Sequence, residues 1–221
     1  MMKPVSEIKA HFLRTAIAAG ALKFGEFTLK SGRVSPYFFN AGLFCDGAQL
    51  SALSACYADT LIACGIRFDM LFGPAYKGIA LASATALQLS LRHDRTVPFS
   101  FNRKEAKAHG EGGLLIGAPL KGAVVIVDDV ISAGTSVRES IDIIRASGAV
   151  PAAVLIALDR QERGSGAEQL SAAQQVQQQF GIPVFAVADL NDLLAQDLPE
   201  VKPYHEDLLR YRAKYGALNF A

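Results

Sequence analysis

Cysteine is scarce in this chain: Cys45, Cys56 and Cys64 are odd in number, none stands in a CxxC spacing, and no histidine lies close to them in sequence. That pattern gives neither a disulfide framework nor a zinc site, and buried free thiols in a reducing compartment are the expectation. Net charge is also lacking. Lys and Arg total 22 against 21 Asp and Glu, a formal charge of +1, so no global field recruits nucleic acid or an anionic membrane, and any anion must be recognised by a local cluster. Apolar runs stay well short of the ~18 residues that a membrane span needs. The one leader-like run, 15–22, follows Glu7 and His11 without a basic start, which points to a cytoplasmic protein with no membrane partner. There is no internal repeat. The glutamine-rich stretch before Phe180 keeps Leu170, Ala173, Val176 and Phe180 at helical spacing, as a solvated surface helix does.

What is present is enough apolar material, 51% of 221 residues, for one substantial core with an N-terminal elaboration. Val5, Ile8, Phe12 and Ile17 predict an opening helix, and 25–40 reads as strand with a turn at Ser31-Gly32. From Gln49 the pattern alternates: helix (Leu50, Leu53, Tyr57, Leu61), strand (70–72), helix (79–91), strand (98–101), strand (124–127) and helix (Val137, Ile141, Ile144). It continues with strand (154–158), a helix to Phe180, strand (184–187) and short helices at about 189–196 and 205–214. Such alternation predicts an α/β fold with a central, mostly parallel sheet flanked by helices. The division expected is a single domain over 1–221, with hood elements over about 1–48, a core over about 49–221 and a mobile lid at 103–113. In such sheets ligands gather at the carboxyl ends of the strands, so the loops after Phe72, Phe101, Val127 and Leu158 should converge.

The most informative stretch is Val124 to Ser136, VVIVDDVISAGTS. Four β-branched residues without polar alternation suit a strand buried on both faces. The small residues Ser132, Ala133, Gly134, Thr135 and Ser136 then let backbone N–H groups approach a ligand at the positive end of the next helix, a phosphate site. Asp128 and Asp129 beside a phosphate would repel it unless donors or a metal intervene, and the vicinal hydroxyls of a ribose are such donors. No lysine precedes Thr135 as a Walker A loop requires, and one glycine stands where the dinucleotide fingerprint needs three. The bland alternative is a strand-turn-helix junction whose acids and serines merely cap the helix.

Two further loops carry chemistry. Gly73-Pro74-Ala75-Tyr76-Lys77-Gly78 offers backbone amides and one lysine to an anion, although an ordinary exposed turn would look similar. Arg103 to Gly113 places Arg103, Lys104, Lys107 and His109 within seven residues and follows them with three glycines, a charged lid. Glu105 and Glu111 interrupt the cations and no aromatic residues interleave for base stacking, which disfavours a nucleic-acid track.

The acidic pair, small loop, Gly-Thr and helix start resemble the sugar-diphosphate motif of the type I phosphoribosyltransferases. With 22–33, 35–42, 72–78, 101–113 and 158–164 added, the resemblance narrows to the bacterial orotate phosphoribosyltransferases and runs over most of the chain. It implies transfer of ribose 5-phosphate from 5-phospho-α-D-ribose 1-diphosphate to N1 of orotate. Lys30, Tyr76, Lys77, Arg103, Lys104, Lys107, His109, Asp128, Asp129, Val130, Ile131 and the Ser132 to Ser136 loop would bind the sugar diphosphate, with Lys107 and the two aspartates central to catalysis. Lys30, Phe38, Phe39, Ser132 and Arg160 would contact orotate. Ser132 stands where relatives commonly have threonine. The family implies Mg2+, held mainly by substrate oxygens and water with no protein metal cage, a cis peptide at Ala75-Tyr76, and a homodimer whose lid serves the neighbouring subunit.

Bland readings remain beside these: Arg160 paired with Asp159 or Glu162, and Phe38 and Phe39 as core residues at a strand end. Two rivals also remain open, a phosphoribosyltransferase for another base, and a regulator that keeps the fold but binds nucleic acid.

Overall fold

The computed structural model describes residues 3–29, 31–107, 113–132, 134–164 and 169–217. Its centre is a six-stranded sheet in the order β5-β4-β3-β6-β7-β8, built from β3 (Met70–Gly73), β4 (Phe99–Lys107), β5 (Gly113–Gly117), β6 (Ala123–Val127), β7 (Val150–Asp159) and β8 (Val184–Asp189). Neighbours are parallel except β4 and β5. The continuous apolar runs are explained by alternation through the sheet. Leu71, Val125, Val127 and Leu155 bury on one face, and Met70, Phe72, Val124, Ile126, Val154 and Ile156 on the other. Helices cover both faces, as an all-buried parallel sheet requires.

On the first face lie α1 (Val5–Ala18), α2 (Gly47–Ala63), α3 (Lys77–His93), α6 (Leu190–Ala195) and α7 (His205–Tyr215); α4 (Thr135–Ala146) and α5 (Ala172–Phe180) cover the second. The N-terminal hairpin of β1 (Leu22–Thr28) and β2 (Val34–Phe39) forms a separate two-stranded sheet. Its turn at Ser31-Gly32 is closed by Gly32 N–H donating to the Leu29 carbonyl, with Gly32 at φ 79°. Of the three thiols only Cys56 is buried; Cys64 is half-buried and Cys45 exposed, so the expectation of buried cysteines holds for one. Among the described residues no helix is long and apolar enough to cross a membrane.

The structure differs from the expected lid in one respect. Instead of ending at Phe101, β4 runs on through Arg103 and Lys104 to Lys107 and pairs antiparallel with β5, which the sequence reading missed. The pairing is Ser100 with Gly117, Phe101 with Ile116 and Asn102 with Leu115, then Lys107 with Gly113 after a register shift. Backbone pairing at a sheet edge, not burial, makes this polar segment a strand, which is why no hydrophobic period announces it.

One close approach positions the functional loops. A Cβ on Gly78 would lie 2.5 Å from Pro74 Cδ and 2.8 Å from the Val127 carbonyl oxygen, so α3 starts in backbone contact with the end of β6. Overpacking of this kind costs ~1–3 kcal/mol or more because neither neighbour can move freely. Gly78→Ala is therefore expected to lower the melting temperature clearly, whereas Gly47→Ala, with open space around it, should leave it unchanged or raised. Equal melting temperatures for the two variants would contradict this packing.

Candidate active site

The loops after β3, β6 and β7, three adjacent strands, meet at one edge of the sheet. Asp128 and Asp129 directly follow β6, both buried. Their backbone is fixed by neighbours: Asp128 N–H donates to the Leu155 carbonyl, the buried Tyr57 hydroxyl donates to the Asp128 carbonyl at 2.8 Å, and Ala157 N–H donates to the Asp129 carbonyl. The Asp128 carboxyl accepts from Asp129 N–H at 2.9 Å and from the Ser136 hydroxyl at 3.1 Å. Burial first, and then the Asp129 charge, push its pKa up to about 6, against those two hydrogen bonds. Asp129 is neutralised differently, by the Lys77 ammonium at 2.6 Å.

Helix α4 begins at Thr135 from Gly134, which takes the left-handed φ of 72° that glycine accepts without strain. No side chain caps α4, and none caps α3, which begins at Lys77 after Tyr76. Helices α2, α5 and α6 carry Asp46, Ser171 and Asp189 as caps, and α1 and α7 carry Glu7, Glu206 and Asp207 in their first turns. Among the described residues, only α3 and α4, the helices that start beside the acidic pair, have neither a cap nor an acid in the first turn. Their unpaired N–H groups and positive ends are thus available to an anion.

In the loop after β3, the Ala75-Tyr76 peptide is cis, as expected. Ala75 N–H donates to the Asn102 side chain, and the Lys104 ammonium lies 5.0 Å from the centre of the exposed Tyr76 ring, so both contacts tie this loop to β4. Arg103 Nη1 is buried with no acceptor among the described residues. Val130, Ile131 and Gly134 are half-buried, with Ser132 and Thr135 exposed, along the same loop. Lys30, His109 and Ala133 and the Lys107 side chain lie outside the described residues.

Across from the acidic pair, β7 delivers Arg160. Its guanidinium is held by Glu162 (Nε to Oε1 2.8 Å, Nη2 to Oε1 2.6 Å), by the Ser35 hydroxyl at 3.1 Å and by the Tyr37 ring at 4.5 Å. Of the two partners open to it in sequence, Glu162 is the one taken; Asp159 instead accepts from Gln161 N–H. Phe39 is 8% exposed and belongs to the core, whereas Phe38, at 40%, faces out and stacks on Phe27. The core reading thus holds for Phe39 alone. Tyr57, Asn102, Ser35 and Tyr37 were not singled out from sequence, since nothing local distinguishes them; each is recognised only by a partner distant in the chain.

The profile of the phosphoribosyl transferase domain matches residues 50–184, more than half of the chain. Orotate phosphoribosyltransferase of Neisseria meningitidis serogroup C (strain 053442) is 59% identical over 214 residues, 96% of this chain and 99% of that protein. Orotate phosphoribosyltransferase of Laribacter hongkongensis (strain HLHK9) is 59% identical with the same coverage. The crystal structure of orotate phosphoribosyltransferase from Francisella tularensis superposes with a TM-score of 0.83 at 40% identity, covering 93% of this chain and 99% of that one. With its sheet order, its acidic pair and its uncapped helix starts, this chain belongs to the orotate phosphoribosyltransferase family.

Proposed function

We propose that the chain transfers ribose 5-phosphate from 5-phospho-α-D-ribose 1-diphosphate to N1 of orotate, giving orotidine 5′-phosphate and diphosphate, in the cytoplasmic route to uridine monophosphate. One observation carries the reading: a buried acidic pair beside an uncapped helix start, joined through Lys77 to a second uncapped helix start. The first pairing suits a ribose 5-phosphate and the second suits a diphosphate. Identity near 59% with orotate phosphoribosyltransferases supports orotate as acceptor.

In this reading the 5′-phosphate accepts from N–H groups of Val130 to Ser136, and the ribose hydroxyls donate to Asp128 and Asp129. Tyr76, Lys77, Arg103, Lys104, Lys107 and His109 surround the diphosphate. Lys30, Ser132, Arg160 and the backbone at Phe38 and Phe39 receive orotate. Departure of diphosphate ahead of bond formation leaves an oxocarbenium-like sugar, so the protein supplies charge, alignment and dryness and needs no covalent nucleophile. Among the described residues no group of three acidic, histidine or cysteine side chains could hold a metal ion. Mg2+ would be held mainly by substrate oxygens and water, with the hard carboxylate oxygen of Asp128 or Asp129 supporting it through water. Bound there, Mg2+ would neutralise charge on the leaving group.

Residues 1–48 act as a hood and 49–221 as the core of a single domain, with 103–113 as the lid. Leu87 and Leu91, one helical turn apart on α3 and both exposed, support a second copy of the chain as partner.

Mixed with the sugar diphosphate and Mg2+, the protein should deplete orotate absorbance and leave uracil, hypoxanthine and nicotinate untouched; consumption of another base would overturn the reading. Lys107→Ala and Asp129→Asn are each expected to be inactive. Mixing them should restore about a quarter of the sites if the lid acts across a dimer, and no recovery would place Lys107 in its own subunit's site. Asp128 has a raised folded pKa, so the native state loses stability as pH rises from the ordinary carboxylate range through about 6. Asp128→Asn should therefore gain more in melting temperature at pH 8 than at pH 5, and the reverse order would contradict that burial penalty.

A further inference from the structure

Arginine is long and flexible, and it recognises a planar carboxylate well only when its fork is held in one orientation. At Arg160 the restraint comes from Glu162, whose Oε1 takes both Nε and Nη2 along one edge of the guanidinium. Ser35 Oγ accepts a further hydrogen bond from Nη2 while its own hydroxyl donates to the Tyr37 carbonyl. Among the described residues nothing accepts from Nη1, so the fork is anchored on one edge and open at the other.

Glu162 is itself anchored. It bridges Gly216, while Arg163 N–H donates to the Tyr215 carbonyl and Ala217 N–H donates to the Gln161 carbonyl, which fastens the stretch to the end of α7. Its other oxygen, Oε2, lies 3.8 Å from Nη1 of Arg33 in the turn of the N-terminal hairpin. Arg33 is held by the Arg163 and Gly164 carbonyls and sits over the Tyr215 ring. One anion therefore stands between two guanidinium groups, each of them largely buried.

We propose that Glu162 is the positioning residue for the acceptor subsite: it holds one edge of the Arg160 guanidinium and leaves Nη1 free to pair with a carboxylate on the acceptor. A base that carries a carboxylate satisfies that free edge, whereas a neutral base leaves it unpaired, which is costly. Glu162 thus presents the arginine that selects an acidic acceptor, without touching the acceptor itself. The proposal rests on the assignment of orotate to Arg160 made above.

The test is steady-state kinetics on the full-length protein with each substrate varied. Glu162→Ala is expected to raise KM for orotate about tenfold or more, with KM for the sugar diphosphate within about twofold. Glu162→Gln keeps an acceptor oxygen at the same reach and should rescue most of that loss, leaving orotate KM raised about threefold. The Gln variant carries the test by itself if the Ala variant does not fold. A merely structural joint between hood and core would raise both KM values together, with no rescue by Gln, and that result would overturn the proposal. Arg160→Ala separates the two levels. If it raises orotate KM while Glu162→Ala does not, the positioning role falls alone; if Arg160→Ala leaves orotate KM unchanged, the contact with orotate falls with it.

Discussion

Two carboxylates buried side by side at the end of a central strand repel one another, and the surrounding structure is arranged to hold them there. Tyr57 from α2 and the backbone of β7 fix the chain at Asp128 and Asp129, Ser136 from the first turn of α4 donates to one carboxyl, and Lys77 from the first turn of α3 pairs with the other. Each of these supports comes from a different element, so the pair is only as well placed as the whole α/β sandwich. The cost of burying it shows in Asp128, whose carboxyl is pushed up to about 6. Such a site is poised for a ligand that brings hydroxyl donors to the carboxylates and anions to the uncapped helix starts beside them.

The sheet edge divides its work by strand. The ends of β3 and β6 hold the groups suited to the sugar diphosphate, and the end of β7, with the N-terminal hairpin folded over it, holds those suited to the base. The hairpin and the core meet through charge as well as through apolar packing: Arg33 and Ser35 from the hairpin side reach Glu162, Arg160 and the carbonyls beyond them. The base end is therefore built from segments more than a hundred residues apart, whereas at the other end the acids, the small loop and the helix start follow one another in sequence.

That difference sets what was legible in the sequence. Val124 to Val127, Asp128, Asp129 and the loop to α4 could be read directly, because one segment holds the buried strand, the acids and the helix start. The cis peptide at Ala75-Tyr76 followed from family resemblance alone. The extension of β4 was missed because edge pairing of a polar segment leaves no hydrophobic period, and β5 because three apolar residues between glycines are too short to show one. For Arg160 the sequence offered Asp159 and Glu162 equally. The decision lies in backbone geometry: Asp159 accepts from the N–H of Gln161, which turns at a φ of 53°, and Glu162 is the carboxylate found on the guanidinium. Phe38 and Phe39 follow the period of two along a strand, so one of them had to face outward, and only the fold says which.

On binding, the sugar diphosphate is expected to take over the contact that Lys77 makes with Asp129. A crystal structure of the complex with 5-phospho-α-D-ribose 1-diphosphate would decide this. It should show ribose hydroxyls on Asp128 and Asp129, the 5′-phosphate on the backbone N–H groups before α4, and Lys77 moved from Asp129 to the diphosphate. A complex in which Lys77 stays on Asp129 and the phosphate binds away from the start of α4 would contradict it.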